Sequence, residues 1–234
     1  IPTNGIELSD LKPGDPKVPF AGVGTTDVVS VSQGTIETIN DPLQRCNFGV
    51  AKLIASANNY EIMIYGGGTN DYTVETDPTD VLDSMPVFNS LSDVSVITPE
   101  SNVYTETDLN LSVPRFNLSA TTIYSNNNIG YALFAGGVSY NDDFKTEVHN
   151  NIDVFKLDED KNPPVLKLHT PGTTIQLSES KQDMAAVSIK SLNGKHFALF
   201  VGGAKTSDSD PINVVDVFEC NDDDVYFKKT ISNV

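Results

Sequence analysis

The chain contains no tryptophan, two cysteines and three histidines. Two thiols, Cys46 and Cys220, can pair only once, so no disulfide framework holds this fold. No apolar run approaches the ~20 residues of a membrane-spanning helix, and no stretch carries sustained helical periodicity with caps. Basic residues are scarce: 15 Lys and Arg stand against 32 Asp and Glu, for a formal charge of -17. A field of that sign repels phosphate backbones and anionic lipid surfaces, which bind through Lys and Arg. Neither nucleic acid nor a membrane span is therefore expected. Ile1 is not an initiator Met and no signal-like stretch follows it, which reads as a processed product, an excised domain or part of a longer polypeptide. What is present is 234 residues, 38% of them hydrophobic, enough to bury a globular core.

That core is built from a repeat. Three apolar runs end in paired glycines: Ile62-Met63-Ile64-Tyr65-Gly66-Gly67, Ala132-Leu133-Phe134-Ala135-Gly136-Gly137 and Ala198-Leu199-Phe200-Val201-Gly202-Gly203. Twenty-two residues before the second glycine of each pair stands a basic residue, Arg45, Arg115 or Lys181. Four residues beyond it comes a small one, Gly49, Ser119 or Ala185, and the spacing shows no gap. Asp-Val dipeptides mark the same units at Asp27, Asp93, Asp153 and Asp216, a period of roughly sixty residues.

Each complete unit carries four strand signals. In the last they are Met184–Ile189, His196–Val201, Val214–Glu219 and Val225–Ile231, the first two joined around Asn193-Gly194, a preferred two-residue turn. The middle unit gives Ala120–Tyr124, Tyr131–Ala135, Ile152–Leu157 and Val165–His169; the first gives Val50–Ala55, Glu61–Tyr65, Val94–Ile97 and Val103–Leu109. Repeated four-stranded units predict an all-β fold, a β-propeller of such blades. Residues 1–19 read as an irregular lead-in, 20–44 as a partial blade with strands Thr26–Val31 and Thr35–Ile39, and 45–113, 114–180 and 181–234 as blades of one domain. Propellers close with about 4–8 blades. Three and a half blades leave an open arc, part of a larger ring, unless the lead-in completes a small four-bladed one.

The basic residue, the small-residue strand, the apolar strand ending in Gly-Gly and the Val-rich third strand together resemble the kelch repeat. Arg45 with Gly66-Gly67, Arg115 with Gly136-Gly137 and Lys181 with Gly202-Gly203 are the matching positions. Phe155 and Phe218 stand where that family usually has Tyr, and its fourth-strand Trp is missing. The resemblance implies a six- or seven-bladed ring of this kind and gives the marks an architectural role. Gly permits positive φ and close backbone approach, and the neighbouring Arg or Lys is expected to hydrogen-bond carbonyls between blades.

Function then falls to the loops. The connection between second and third strands varies most, running over 68–91, 138–151 and 204–213. Tyr72, Glu75, Asp77, Tyr140, Asp142, Asp143, Asp208 and Asp210 would form an acidic rim there, able to steer a basic protein partner. Asn141-Asp142-Asp143 or Asp222-Asp223-Asp224 could offer oxygens to calcium, but neither matches the Asp-x-Asp-x-Asp-Gly loop with its distal Glu. No metal or cofactor is expected. His149, His169 and His196 form no ligand pair. Some kelch-type proteins use iron held by Glu, Asp and His at four-residue intervals; here Glu179 and Asp183 are followed by Val187. Sequons at Asn110 and Asn117 point to a secreted protein. The expectation is a protein-binding or assembly scaffold, completed by another chain or by the rest of the propeller. A secreted oxidase-like or carbohydrate-binding propeller, with its site on a missing half, and a structural matrix or filament component are the alternatives.

Overall fold

The computed structural model describes residues 25–30, 35–40, 47–56, 60–73, 87–98, 103–140, 145–206, 209–221 and 224–232. Every helix or strand among them is a strand. The order opens with β1 (Thr25–Ser30) and β2 (Thr35–Asn40), an antiparallel pair. Next come β3 (Gly49–Ile54) and β4 (Glu61–Gly66), a side hairpin of β5 (Thr69–Thr73) and β6 (Val87–Ser90), then β7 (Asp93–Thr98) and β8 (Val103–Asn110). The pattern repeats with β9 (Ser119–Tyr124), β10 (Gly130–Ala135), the short hairpin β11 (Val138–Tyr140) and β12 (Thr146–Val148), β13 (Ile152–Asp158) and β14 (Val165–His169). It closes with β15 (Ala185–Lys190), β16 (His196–Val201), β17 (Val214–Cys220) and β18 (Val225–Ser232). Three four-stranded antiparallel sheets result: sheet 1 is β3-β4-β7-β8, sheet 2 is β9-β10-β13-β14 and sheet 3 is β15-β16-β17-β18. The expected strands match these within one or two residues at each end. The lead-in, Arg45 and Cys46 lie outside the described residues.

Alternating burial identifies the faces. Along β3 every second residue is buried, while all six residues of β10 are buried because sheet 2 is covered on both sides. Two main clusters fill the spaces between sheets. Leu53, Ile62 and Ile64 of sheet 1 meet Phe134 and Phe155 of sheet 2. Ile123, Tyr131 and Leu133 of sheet 2 meet Phe200 and Phe218 of sheet 3. Each junction carries the same edge-to-face pair, with centroids 5.7 Å apart for Phe134–Phe155 and 5.9 Å for Phe200–Phe218.

The glycine register differs from the gapless one expected. In sheet 3 the turn is a three-residue loop, not the two-residue one: Ser191 N–H bonds to Lys195 O (2.8 Å) and Gly194 takes φ 86°. Sheet 2 uses the same loop, from Ser125 N–H to Ile129 O (2.9 Å), with Asn128 at φ 61° in the glycine's place. In sheet 1 the closing bond runs from Ala55 N–H to Tyr60 O (2.8 Å), one residue longer. The insertion shifts the pair. Gly67 and Gly68 (φ 70° and 102°) are the counterparts of Gly136-Gly137 (63° and 99°) and Gly202-Gly203 (68° and 97°). Gly66 is the last residue of β4, opposite Gly49, and matches Ala135 and Val201. It is small for another reason: a Cβ there would lie 2.9 Å from Phe134 Cε1.

The Asp-Val mark shifts as well. Asp153 faces Phe134 and Asp216 faces Phe200 across their ladders, whereas the residue facing Tyr65 is Ser95. Asp93 sits one pleat earlier. The connections read as loops also contain strands, since Tyr72 faces Phe88 across β5–β6 and Ser139 faces Glu147 across β11–β12. Runs as short as Val138–Tyr140 are too brief to announce themselves by alternation.

Glycine substitutions separate conformational cost from crowding. At Gly194 an added Cβ meets nothing within 4 Å, so Gly194→Ala costs only the left-handed conformation, about 1–2 kcal/mol. At Gly136 the Cβ would lie 2.4 Å from Lys181 O, so Gly136→Ala adds a main-chain clash and costs about 3 kcal/mol or more. Urea unfolding midpoints of the two variants measure the difference.

Candidate functional site

The buried basic residues of sheets 2 and 3 anchor each of those sheets to the connection that precedes it. Arg115 is fully buried, and its Nη2 donates to Asp153 Oδ2 (2.7 Å) and Phe134 O (3.1 Å), its Nη1 to Val113 O (3.1 Å). Burial pushes its guanidinium below the ordinary value and Asp153 pushes back. The same carboxylate accepts Ser112 N–H (3.1 Å) and Oγ (3.3 Å). Sheet 3 repeats the device: Lys181 Nζ lies 2.9 Å from Asp216 Oδ2, both side chains fully buried, and Asp216 accepts Ser178 N–H (3.2 Å) and Thr230 Oγ1 (3.0 Å). Ser112 and Ser178 each stand three residues before the basic one. The lysine pairs by proximity alone, without a directed hydrogen bond.

Main-chain bonds link the sheets alongside side-chain ones such as Arg115 Nη1 to Val113 O and Thr122 Oγ1 to Lys52 O (2.6 Å). Gly68 N–H donates to Arg115 O (2.9 Å) and Gly137 N–H to Lys181 O (3.0 Å). A second chain of bonds runs through Asn47, Asn117 and Asp183, each two residues after its basic residue, with φ 55°, 53° and 55°. Asn117 N–H donates to Asn47 O (2.9 Å) and Asp183 N–H to Asn117 O (3.1 Å). This relay escaped the sequence reading. Its signal was there in the Asn, Asn and Asp at one repeat position, the residues that tolerate the left-handed region.

Above these junctions open the connections between second and third strands. Tyr72 lies on β5 and Asp210 is exposed. Tyr140 ends β11 with its ring stacked on Phe116, centroids 5.6 Å apart. Glu75, Asp77, Asp142, Asp143 and Asp208 lie outside the described residues. The β6 and β11 strands approach one another, and Lys205 in the third connection pairs with Glu179 at 2.8 Å. Beneath β11, Ser139 Oγ and His149 Nε2 are buried together at 2.7 Å, and burial lowers the imidazole pKa. The other histidines are occupied elsewhere: His169 Nε2 meets Asp224 Oδ1 at 2.9 Å and His196 packs on the edge of Tyr124. Among the described residues no three His, Cys, Asp or Glu side chains are grouped to hold a metal ion. Cys220 is buried, its Sγ donating to Asn221 O at 3.1 Å. Of the sequons, Asn110 is exposed at the end of β8, whereas the Asn117 main chain is engaged in the relay.

Three sheets stacked by one repeated junction find counterparts among solved structures. The "Structure of YjhT" superposes with a TM-score of 0.53 at 14% identity, over 88% of this chain and 52% of that one. The "Cryo-EM structure of RAG in complex with one melted RSS and one unmelted RSS" gives 0.53 at 11% identity, over 90% of this chain and 60% of that one. The fold is propeller-like. After that likeness sheets 1 to 3 are labelled blades 1 to 3, and the chain spans little more than half the length of the structures it matches. No family model and no curated protein matches it. No helix among the described residues is long and apolar enough to cross a membrane.

Removing one partner of a buried pair strands a charge. Asp216→Ala is expected to cost about 3–5 kcal/mol, and Lys181→Met combined with Asp216→Leu distinctly less; a double-mutant cycle by urea unfolding measures both. Acid acts on two further carboxylates. Burial disfavours ionised Glu219, but Lys195, Lys228 and Tyr226 outweigh it and bring its pKa from 4.5 to about 2. Burial likewise opposes Asp224, and hydrogen bonds from His169, Gly172 and Val225 win, lowering its pKa. Both groups are more acidic folded than unfolded. Their stabilisation is therefore complete above the ordinary carboxylate range and is lost as pH falls towards 2. Glu219→Gln with Asp224→Asn should lower stability at neutral pH and flatten its acid dependence, read from unfolding midpoints across that range.

Proposed function

We propose that this chain is part of a kelch-type propeller that serves as a scaffold for protein partners, receiving a basic partner on the face where the second-to-third-strand connections open and joining the rest of a ring through its outer blades. One observation carries the reading. The blade bodies share one four-stranded antiparallel order, whereas these connections differ from blade to blade: β5–β6 in the first, β11–β12 in the second, and no strand among the described residues between β16 and β17 in the third. In a repeat scaffold the invariant part is architecture and the variable face is where partners are told apart. The acidic side chains of those connections favour a cationic partner, arriving by electrostatic steering.

A lysine-rich peptide probes the face. Asp142→Asn, Asp143→Asn and Asp210→Asn together should weaken its binding about tenfold at low salt, with the difference shrinking as salt screens the charges. The control removes the same charge elsewhere, at Glu106, Asp108 and Asp160, all exposed. Equal loss in both triple variants reduces the binding to net charge and overturns the loop-face reading.

A further inference from the structure

Blade 3 is prepared for a neighbour. Ile123, Tyr131, Leu133 and Ala135 of blade 2 are completely buried against blade 3. Their register counterparts are Ile189, Phe197, Leu199 and Val201, since Tyr131 faces Ile123 across its ladder as Phe197 faces Ile189, and Ala135 faces Ser119 as Val201 faces Ala185. That face of blade 3 is equally apolar and only partly covered: Phe197, Leu199 and Val201 are half-buried, and Ile189 and Val187, which faces Leu199, are each 47% exposed. Beside it, Ile231 at the end of β18 is 40% exposed.

The glycines tell the same story independently. A Cβ on Gly67 would lie 2.5 Å from Arg115 O of the following blade, and one on Gly136 2.4 Å from Lys181 O. At Gly202, with the same φ, the nearest atom is Ile212 O of its own blade at 3.6 Å. Gly68 and Gly137 donate to those following carbonyls, while Gly203 N–H has no main-chain acceptor among the described residues. Blade 3 therefore keeps a narrow backbone gap that nothing among the described residues fills.

We propose that this face seats a further blade of the same repeat, contributed by the remainder of the ring. The junctions on the page specify its chemistry. It presents an aromatic pair like Phe134–Phe155 and Phe200–Phe218, and a basic residue whose carbonyl receives Gly203 N–H. Two residues later comes a left-handed Asn or Asp whose N–H meets Asp183 O. A second copy of this chain is not the occupant. The surface it would offer, Tyr65 and Ile97 of blade 1, is itself buried at 6% and 1% exposure. The inference rests on the assembly half of the function proposed above and is independent of the loop face.

The test exploits the missing tryptophan. Val187→Trp places the sole indole on the open face, first in the chain as it stands and then in a chain extended after Ser232 by a second copy of residues 170–232, which supplies a repeat with its native connector. In the unextended chain the indole should be solvent-exposed and the native mass that of a monomer. In the extended chain its emission should move to the blue, and acrylamide quenching should fall about fivefold as the site becomes buried. Unchanged emission and quenching overturn the proposal. So does a dimer of the unextended chain that Ile189→Glu dissociates, because the occupant is then a second copy. Should the Trp variant fold poorly, Gly202→Ala gives a separate readout. Its destabilisation should be smaller than that of Gly136→Ala in the unextended chain and equal to it in the extended one. A cost unaffected by the extension overturns the proposal. Loss of peptide binding at the loop face leaves these readouts unmoved, so the two failures are distinguishable.

Discussion

Everything in this fold leans on the close approach of main chain to main chain between neighbouring blades. The Gly68 and Gly137 amides reach the carbonyls of Arg115 and Lys181, and at Gly67 and Gly136 just before them a Cβ would collide with the same carbonyls. The buried ion pair behind each carbonyl fixes where it points. Asp153 holds Arg115 and the Ser112 amide at once, and Asp216 does the same for Lys181 and Ser178. Each aromatic pair lies within its own sheet and packs into the cluster shared with the preceding one. An ion pair of this sort is weak evidence for net stability; its effect here is to position a carbonyl.

The strands were legible from the chain alone because their alternation is long and their ends are punctuated by glycine. Less legible was the alignment between blades. One additional residue between Ala55 and Tyr60 moved the glycine pair from Gly66-Gly67 to Gly67-Gly68, and three consecutive glycines concealed the slip. The dipeptide at Asp93 misled in the same way, since the position that holds a carboxylate in blades 2 and 3 holds Ser95 in blade 1. Both errors come from matching letters where the physical equivalence lies in the ladder. The side hairpins were hidden because three- to five-residue strands carry too few alternations to be told from loops.

The candidate site was legible only as a face. Variation between repeats located it, and composition gave its sign. Geometry added what sequence could not supply: Tyr140 stacked on Phe116 and the buried Ser139–His149 contact beneath. Neither pair has a spacing that marks it: the β11–β12 hairpin brings His149 to Ser139, and the bridge between Phe116 and Val138 brings Phe116 to Tyr140.

The main-chain character of the junction has a consequence for how such a sequence can change. A hydrogen bond from a glycine amide to a carbonyl does not read the side chain attached to the acceptor. Arg can stand in for Lys and Asn for Asp without touching the main-chain bonds between neighbouring blades. The constraint that persists is on shape. The chain shares only 11–14% of its residues with solved structures whose course it follows over 88–90% of its length. A fold joined through its backbone can lose its lettering and keep its form.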